Sequence, residues 1–170
     1  MVFHQNAADE VFVHNGTVHA PDIEMALLNA RDVFSRRRQS VAMWVVPAQS
    51  IYSATLEEVE SMEHVPMEES QGERKSYYVF AKLSQQGYCE QVGTVNAGSQ
   101  KTALQAALRT FPSKKALWWW VFPVEAVLAS KEEDAASMYS LSRKFEYKNQ
   151  AAYPVITMMR QIYTKGKLSD

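Results

Sequence analysis

One stretch of this sequence occurs twice, and the repetition limits the folds that are open to the chain. Residues 16–47 read GTVHAPDIEMALLNARDVFSRRRQSVAMWVVP, and residues 93–123 read GTVNAGSQKTALQAALRTFPSKKALWWWVFP. A shift of 77 positions superposes Gly16 on Gly93, Ala26 on Ala103, Ala30 on Ala107 and Phe34 on Phe111. A solenoid needs at least about three stacked repeats to bury a continuous core. The sequence therefore predicts two copies of one module, paired about a pseudo-twofold axis.

Each copy has the pattern of two strands, a helix and a third strand. In the first copy, β-branched and aromatic residues at 2–5 and 10–20 indicate two strands, with a bulge or second turn at Asn15-Gly16. Pro21 suits the first position of the helix that follows. The apolar face of this helix has helical spacing and consists of Ile23, Ala26, Leu27, Ala30 and Phe34. The strand at 41–46 is apolar on both faces, so the other copy or another subunit must cover its second face.

The chain therefore divides into four segments. We expect a first ββαβ module at 1–66, a linker at 67–75, a second ββαβ module at 76–130 and a partly helical C-terminal tail at 131–170. Each module is expected to form a three-stranded sheet with one packed helix. The predicted fold class is therefore α+β, built as a tandem pseudo-twofold repeat.

The second copy keeps the apolar helix face of the first and changes the exposed residues. Ser99 is the expected N-cap of its helix. The strand at 117–122, LWWWVF, repeats the doubly apolar pattern with larger side chains. Because side chains alternate along a strand, we expect Trp118 and Trp120 on one face and Trp119 on the other. Buried indoles would contribute strongly to the core.

Composition excludes several classes of protein. The chain has 170 residues, of which 46% are hydrophobic and 22% charged, so it can bury a core without metal or disulfides. Its formal net charge of −1 argues against nucleic-acid binding. Cys89 is the single cysteine, which favours a reducing compartment. No signal peptide and no apolar run of membrane-spanning length is found, so we expect a cytoplasmic protein that does not bind membranes.

Residues that carry chemistry are sparse and scattered. The four histidines lack Glu-x-x-His or His-x-x-x-His spacing, so no metal site is expected from this chain alone. Cys89 is expected to pack as a small hydrophobe in a strand rather than act as a nucleophile. No Gly-x-Gly-x-x-Gly or Walker sequence is present, so nucleotide-phosphate binding has no support. We therefore predict no catalytic residue, no metal and no cofactor.

One string of residues in the first copy resembles a known family. Its parts are His19-Ala20-Pro21-Asp22, Met25-Ala26-Leu27, Asn29-Ala30-Arg31-Asp32, Arg36-Arg37 and Trp44-Val45-Val46. In spacing as well as identity, these residues resemble the B subunit of phenylacetyl-CoA epoxidase, the PaaB family. The resemblance covers roughly residues 10–53 well and 76–130 more weakly, and KFEYKNQAAY at 144–153 is similar to the family's C-terminal tail.

The resemblance implies a small α+β subunit with no metal and no catalytic residues of its own. In that family the subunit joins a di-iron catalytic subunit and its structural partner in a monooxygenase that epoxidises the aromatic ring of phenylacetyl-CoA. Members usually carry one copy of the module and pair as homodimers, so this chain is similar to such a dimer fused into one polypeptide. The second copy has Asn96 in place of the histidine and lacks the double arginine. The two halves are therefore expected to hold partners differently.

The exposed side of the first helix is the expected partner interface. Its candidate residues, polar or charged where the two copies diverge, are Asn29, Arg31, Asp32, Arg36 and Arg37. The arginines also stand at the helix end that favours cations, and binding a phosphate of coenzyme A is an alternative role. Two other functions stay open, a small α+β module that binds an aromatic or acyl-CoA ligand and a general interaction adaptor. The doubly apolar strands also allow further homo-oligomerisation.

Overall fold

The computed structural model describes residues 1–35, 40–62, 73–112, 116–133, 135, 137–139 and 159. Within these ranges the chain forms eight strands and three α-helices, besides a few helical residues in the tail. The strands are β1 (Val2–Gln5), β2 (Val13–Gly16), β3 (Ala42–Val45), β4 (Tyr52–Thr55), β5 (Lys75–Lys82), β6 (Cys89–Ala97), β7 (Trp118–Pro123) and β8 (Leu128–Ala129). The helices are α1 (Ile23–Phe34), α2 (Leu56–Met62) and α3 (Gln100–Thr110). Residues 132, 133, 135 and 137–139 are also helical.

All the described strands belong to one antiparallel sheet, in the order β4-β7-β5-β6-β2-β1-β3-β8. The α+β class is confirmed, but the prediction of a three-stranded sheet in each module is wrong. Strand β4, from the first half, pairs with β7, and β8, from the second half, pairs with β3. The two halves also meet at β2 and β6, where Val13 lies opposite Glu90. A separate three-stranded sheet would leave backbone N–H and C=O groups unpaired at its edges, and exchanging strands between the halves pairs many of them.

The two halves of the sheet mirror each other. Outward from the centre, each direction gives the second strand of one half, then its first and third strands, and finally the fourth strand of the other half. Each half also has one extra residue in the pairing of its first two strands, Asn15 opposite β1 and Val92 opposite β5. Of the two alternatives predicted at Asn15-Gly16, a bulge or a second turn, the structure has the bulge. The glycine after each bulge lies against the phenylalanine at the end of the following helix, Gly16 against Phe34 and Gly93 against Phe111. Gly16 also has a φ of +151°, which residues with side chains rarely adopt.

Replacing Gly93 with alanine is expected to lower the free energy of unfolding by about 1–3 kcal/mol, the usual cost of overpacking a core. A Cβ atom at this position would lie 2.5 Å from Cζ of Phe111, so the ring would have to move. Adding Phe111→Leu removes the atoms in collision and should restore part of the loss. Urea denaturation of Gly93→Ala with and without Phe111→Leu measures both effects. The proposed collision would be contradicted if the double variant lost as much free energy of unfolding as the two single substitutions lose in sum.

Three apolar clusters cover the two faces of the sheet. One lies between the sheet and α2 and α3, and it includes Leu104, Trp119 and Val121. A second lies between the sheet and α1, where Tyr139 of the C-terminal helical residues also packs. The third, here called the inner cluster, joins the two halves and consists of Phe3, Phe12, Val46, Phe80, Cys89 and Phe122 with partly buried neighbours.

The sheet curls around the inner cluster. Trp44 on β3 and Tyr78 on β5 are separated by three intervening strands, which would put them roughly 19 Å apart in a flat sheet. Their ring centroids are 4.5 Å apart. The expectation that the second face of the strand at 41–46 is covered is therefore confirmed, because Trp44 packs in the inner cluster while Met43 and Val45 pack under α1.

Several local predictions are confirmed and others need correction. Ser99 caps α3 as predicted. Pro21 was predicted to be the first residue of α1, but the N-cap is Asp22 and the helix begins at Ile23, so Pro21 lies outside it. Trp119 is buried on the face opposite Trp120 as predicted, whereas Trp118 is 45% exposed. The tail has helical residues near its start, and nearly all of the rest of it lies outside the described residues. Most of the predicted linker also lies outside them, and its last residue, Lys75, begins β5.

Candidate functional site

The most distinctive surface of the described chain is the outward face of α1. Asp22 starts the helix by accepting a hydrogen bond of 2.7 Å from the backbone N–H of Met25. The residues predicted to face the core do so, because Ile23, Ala26, Leu27, Ala30 and Phe34 all belong to the cluster beneath α1. The opposite face is not purely polar. Met25 is 42% exposed and Leu28 is 44% exposed, one turn apart on the side away from the sheet.

The structure places the predicted interface residues in different environments. Asn29 is half-buried, and its side-chain amide donates a hydrogen bond of 3.1 Å to the carbonyl oxygen of His19, which ties the β2–α1 connection to the helix. Arg31 donates from Nε and Nη2 to Oδ1 of Asp32, and both side chains are partly exposed. Arg36 and Arg37 lie outside the described residues. The exposed surface that the structure does describe on α1 therefore combines an ion pair with three apolar side chains, Met25, Leu28 and, nearer the end of the helix, Val33.

The second half does not repeat this surface. The shift of 77 places Met25 on Thr102 and Leu28 on Gln105. Thr102 belongs to the capping box of α3, and both Thr102 and Gln105 are buried. Thus α1 exposes apolar residues at positions where α3 buries polar ones. Sequence analysis missed Met25 and Leu28, although comparing the outward faces of the two helices would have found them.

A second apolar surface lies where β4, β7 and β5 end. Trp118, predicted to be buried, lines an open cavity of about 470 Å³ together with Leu56, Leu117 and Lys82. The Lys82 ammonium lies 5.7 Å from the centroid of the Trp118 ring, within the range of a cation–π contact. Trp118 is the first residue of β7 and the exposed one of its three tryptophans.

The titratable groups with clear pKa shifts are mostly interior ones. Burial raises the pKa of the Cys89 thiol to about 12, so this thiol stays protonated and fits the predicted role of a small hydrophobe. Burial lowers the pKa of His14, whose ring meets that of Trp120 edge-on at 4.8 Å. Among the described residues no group of three His, Cys, Asp or Glu side chains is placed to hold a metal ion. In the same part of the chain, no helix is long and apolar enough to cross a membrane.

These features define a class of protein, an α+β fold with helices outside a curled antiparallel sheet and its most distinctive surface on a helix. Comparison with protein families makes the assignment specific. The family model described as "Phenylacetic acid degradation B", PaaB, matches residues 1–71 and 73–160. The chain belongs to the PaaB family, as the resemblance at residues 10–53 indicated.

One curated relative adds a biochemical name. The chain is similar to the B subunit of 1,2-phenylacetyl-CoA epoxidase of Escherichia coli (strain K12), with 47% identity over 45 residues. This alignment covers 26% of the chain and 47% of the relative, so the chain spans about half the length of the curated protein it matches. No solved structure matches the chain.

Proposed function

We propose that this chain is a non-catalytic assembly subunit of a multicomponent monooxygenase that epoxidises the aromatic ring of phenylacetyl-CoA. Its membership of the PaaB family and the name of its E. coli relative support a place in phenylacetate degradation. Its partners would be the di-iron catalytic subunit and the structural subunit of the oxygenase, in the cytoplasm. The observation that carries the proposal is the set of exposed apolar residues on α1, Met25, Leu28 and Val33, which has no counterpart on α3.

We also propose that the chain consists of two fused copies of the family module, residues 1–66 and 76–130. Three observations support this proposal: the two stretches matched by the family model, the bulges at Asn15 and Val92, and the mirrored strand order. A fused pair allows the two copies to diverge, which a homodimer cannot do. The outward face of α1, together with Arg36 and Arg37 that follow it in the sequence, would then contact a partner through one half of the molecule only.

The proposed partner surface has a defined chemistry. Met25 and Leu28 supply apolar area whose burial is favourable, and the Arg31–Asp32 pair at their edge supplies polar contacts. Because Asn29 already bonds to His19, its contribution is to fix the entry of the chain into α1. We expect Leu28 to be the energetic centre of the contact and the charged residues to form its rim.

Purification of the tagged chain from its native host, with mass spectrometry and iron analysis, tests the proposed function. The expected result is a complex that contains a di-iron subunit, with iron in the complex and none on the isolated chain. Leu28→Asp should reduce recovery of partners at least about tenfold, because a carboxylate would be buried without a partner. Replacing Arg36 and Arg37 together by alanine should also weaken assembly without unfolding the protein.

Gln86→Asp is the matched control for Leu28→Asp. Gln86 is exposed in the turn between β5 and β6, in the half that lacks the apolar surface, and the change adds the same charge. The control should bind partners like the unchanged chain, and both variants should keep its melting temperature within a few degrees. Undiminished recovery of partners with folded Leu28→Asp would show that the outward face of α1 is not the interface. Recovery of the chain alone would count against the assembly function.

A further inference from the structure

A groove lies at the start of β1, between the β2–α1 connection and the end of β3. Its volume is about 760 Å³. Its lining includes Val18, Ile23, Ala26, Val46 and Pro47. The lining is therefore largely apolar, and it also includes residues 17–20. The groove is on the first half of the molecule and does not include the outward face of α1.

The second half shows what fits in the equivalent place. Val2 of β1 corresponds to Val79 of β5 under the shift of 77, but β5 begins four residues earlier, at Lys75. In the second half, residues 75–77 pair with residues 95–97 on one side, and Tyr77 also pairs with Pro123 on the other. Tyr77 is only 5% exposed and packs in the cluster beneath α3. An extended backbone with a tyrosine side chain therefore fills this space.

Residues that the shift of 77 relates are more exposed beside the groove than in the second half. Val95, Ala97 and Ala103 are buried in the cluster that contains Tyr77. Their counterparts Val18, Ala20 and Ala26 are only half-buried. Strand β6 continues to Ala97, whereas β2 ends at Gly16, although Ala97 corresponds to Ala20. The described part of the chain places no strand beside residues 17–20, so their strand pairing is incomplete.

We propose that the groove binds an extended segment of a partner polypeptide, which adds to the sheet in the place that residues 75–77 hold in the second half. Its backbone would pair with residues 17–20 and with the carbonyl oxygen of Pro47. An aromatic side chain equivalent to Tyr77 would enter between Val18, Ile23 and Ala26. The aromatic side chain gives specificity, and the backbone hydrogen bonds align the strand.

One contact of the second half has no direct counterpart at the groove. In the second half the Lys75 ammonium lies 2.6 Å from Oε1 of Glu125. The shift of 76 places Glu125 on Gln49, and the carboxylate in the groove lining is that of Asp22. The segment therefore does not need a lysine two positions before the aromatic residue. The inference adds a second contact to the proposed assembly function and does not depend on the α1 surface.

A tethered segment tests the groove without any partner. Adding Gln-Ser-Tyr directly before Met1 of the 170-residue chain places a tyrosine in register with Tyr77. The amide protons of residues 17–20 should then exchange at least about tenfold more slowly, and the melting temperature should rise by roughly 3 °C or more. A Gln-Ser-Gly extension is the matched control and should have little effect. Equal results for the two extensions, or no protection by the first, would overturn the proposal.

Hydrogen exchange on the complex tests the partner. In a complex recovered from the native host, residues 17–20 should exchange at least about tenfold more slowly than in the free chain. Residues 94–97, which are already paired, serve as the internal control. The proposal would be overturned if exchange at residues 17–20 were unchanged in a complex. It would also be overturned if these residues were already protected in the free protein by its own chain, including residues preceding Met1. If no complex is recovered, the assembly function fails, while the tethered segment still decides whether the groove accepts a strand.

Discussion

Replacing Phe3 with alanine is expected to lower the free energy of unfolding by about 3–5 kcal/mol, which is more than most single substitutions cost. Phe3 is fully buried and stands at the centre of the inner cluster. Its ring lies 4.6 Å from that of Phe80 and 5.2 Å from that of Phe122, both in the other half of the chain. The substitution would leave a cavity where the two halves meet, and neighbouring rings held by strands on both sides can fill it only partly.

Urea denaturation at equilibrium measures the loss, with Val11→Ala as the control. Val11 is 49% exposed, and its replacement should cost no more than about 0.5 kcal/mol. Phe80→Ala should resemble Phe3→Ala, because the shift of 77 relates the two positions and both are fully buried. A domain of ordinary stability could be left barely folded, so Phe3→Leu supplies a milder measurement of the same contact. A loss for Phe3→Ala equal to that for Val11→Ala would contradict a shared core.

The helices and their faces could be predicted from sequence because they depend on residues close along the chain. The core face of α1 follows from helical spacing, and Ser99 can cap α3 because its hydroxyl accepts from the N–H of Thr102 three residues later. The bulge at Asn15 was also visible, since Asn-Gly interrupts a run of strand-forming residues. Each of these features is settled within about ten residues.

The pairing of distant strands could not be predicted in the same way. Residues 52–55 look like an ordinary short strand, and nothing local indicates that Tyr52 pairs with Val121 rather than with the first half. The exposure of Trp118 had the same cause, because its burial depends on what the distant strands β4 and β5, which pair with the start of β7, place beside it. At the candidate site, Met25 and Leu28 were missed because an exposed helix face was assumed to be polar, and apolar residues are in fact common on protein surfaces.

Separate expression of residues 1–66 and 67–170 is expected to give two fragments that fold together but not as isolated monomers. The cut falls between α2 and β5, where the chain passes from one half to the other. The inner cluster draws Phe3, Phe12 and Val46 from the first fragment and Phe80, Cys89 and Phe122 from the second. Each fragment alone would expose its share of this cluster. It would also lose both strand pairings that join the outer strands of the two halves, β4 with β7 and β3 with β8.

In the intact chain, a short flexible connection between the halves supplies only a roughly millimolar effective concentration, so the contacts between the halves must themselves be strong. The mixed fragments should therefore form a 1:1 complex with a Kd of about 1 μM or tighter. Analytical ultracentrifugation gives the stoichiometry, and near-ultraviolet circular dichroism reports whether the aromatic side chains regain fixed packing. Introducing Phe80→Ala into the second fragment should weaken the complex at least about 100-fold, in line with the loss expected for a buried phenylalanine. A monomer of residues 1–66 that melts cooperatively on its own would mean that the first half holds a complete core, and that its pairings with β7 and β8 are dispensable for its folding.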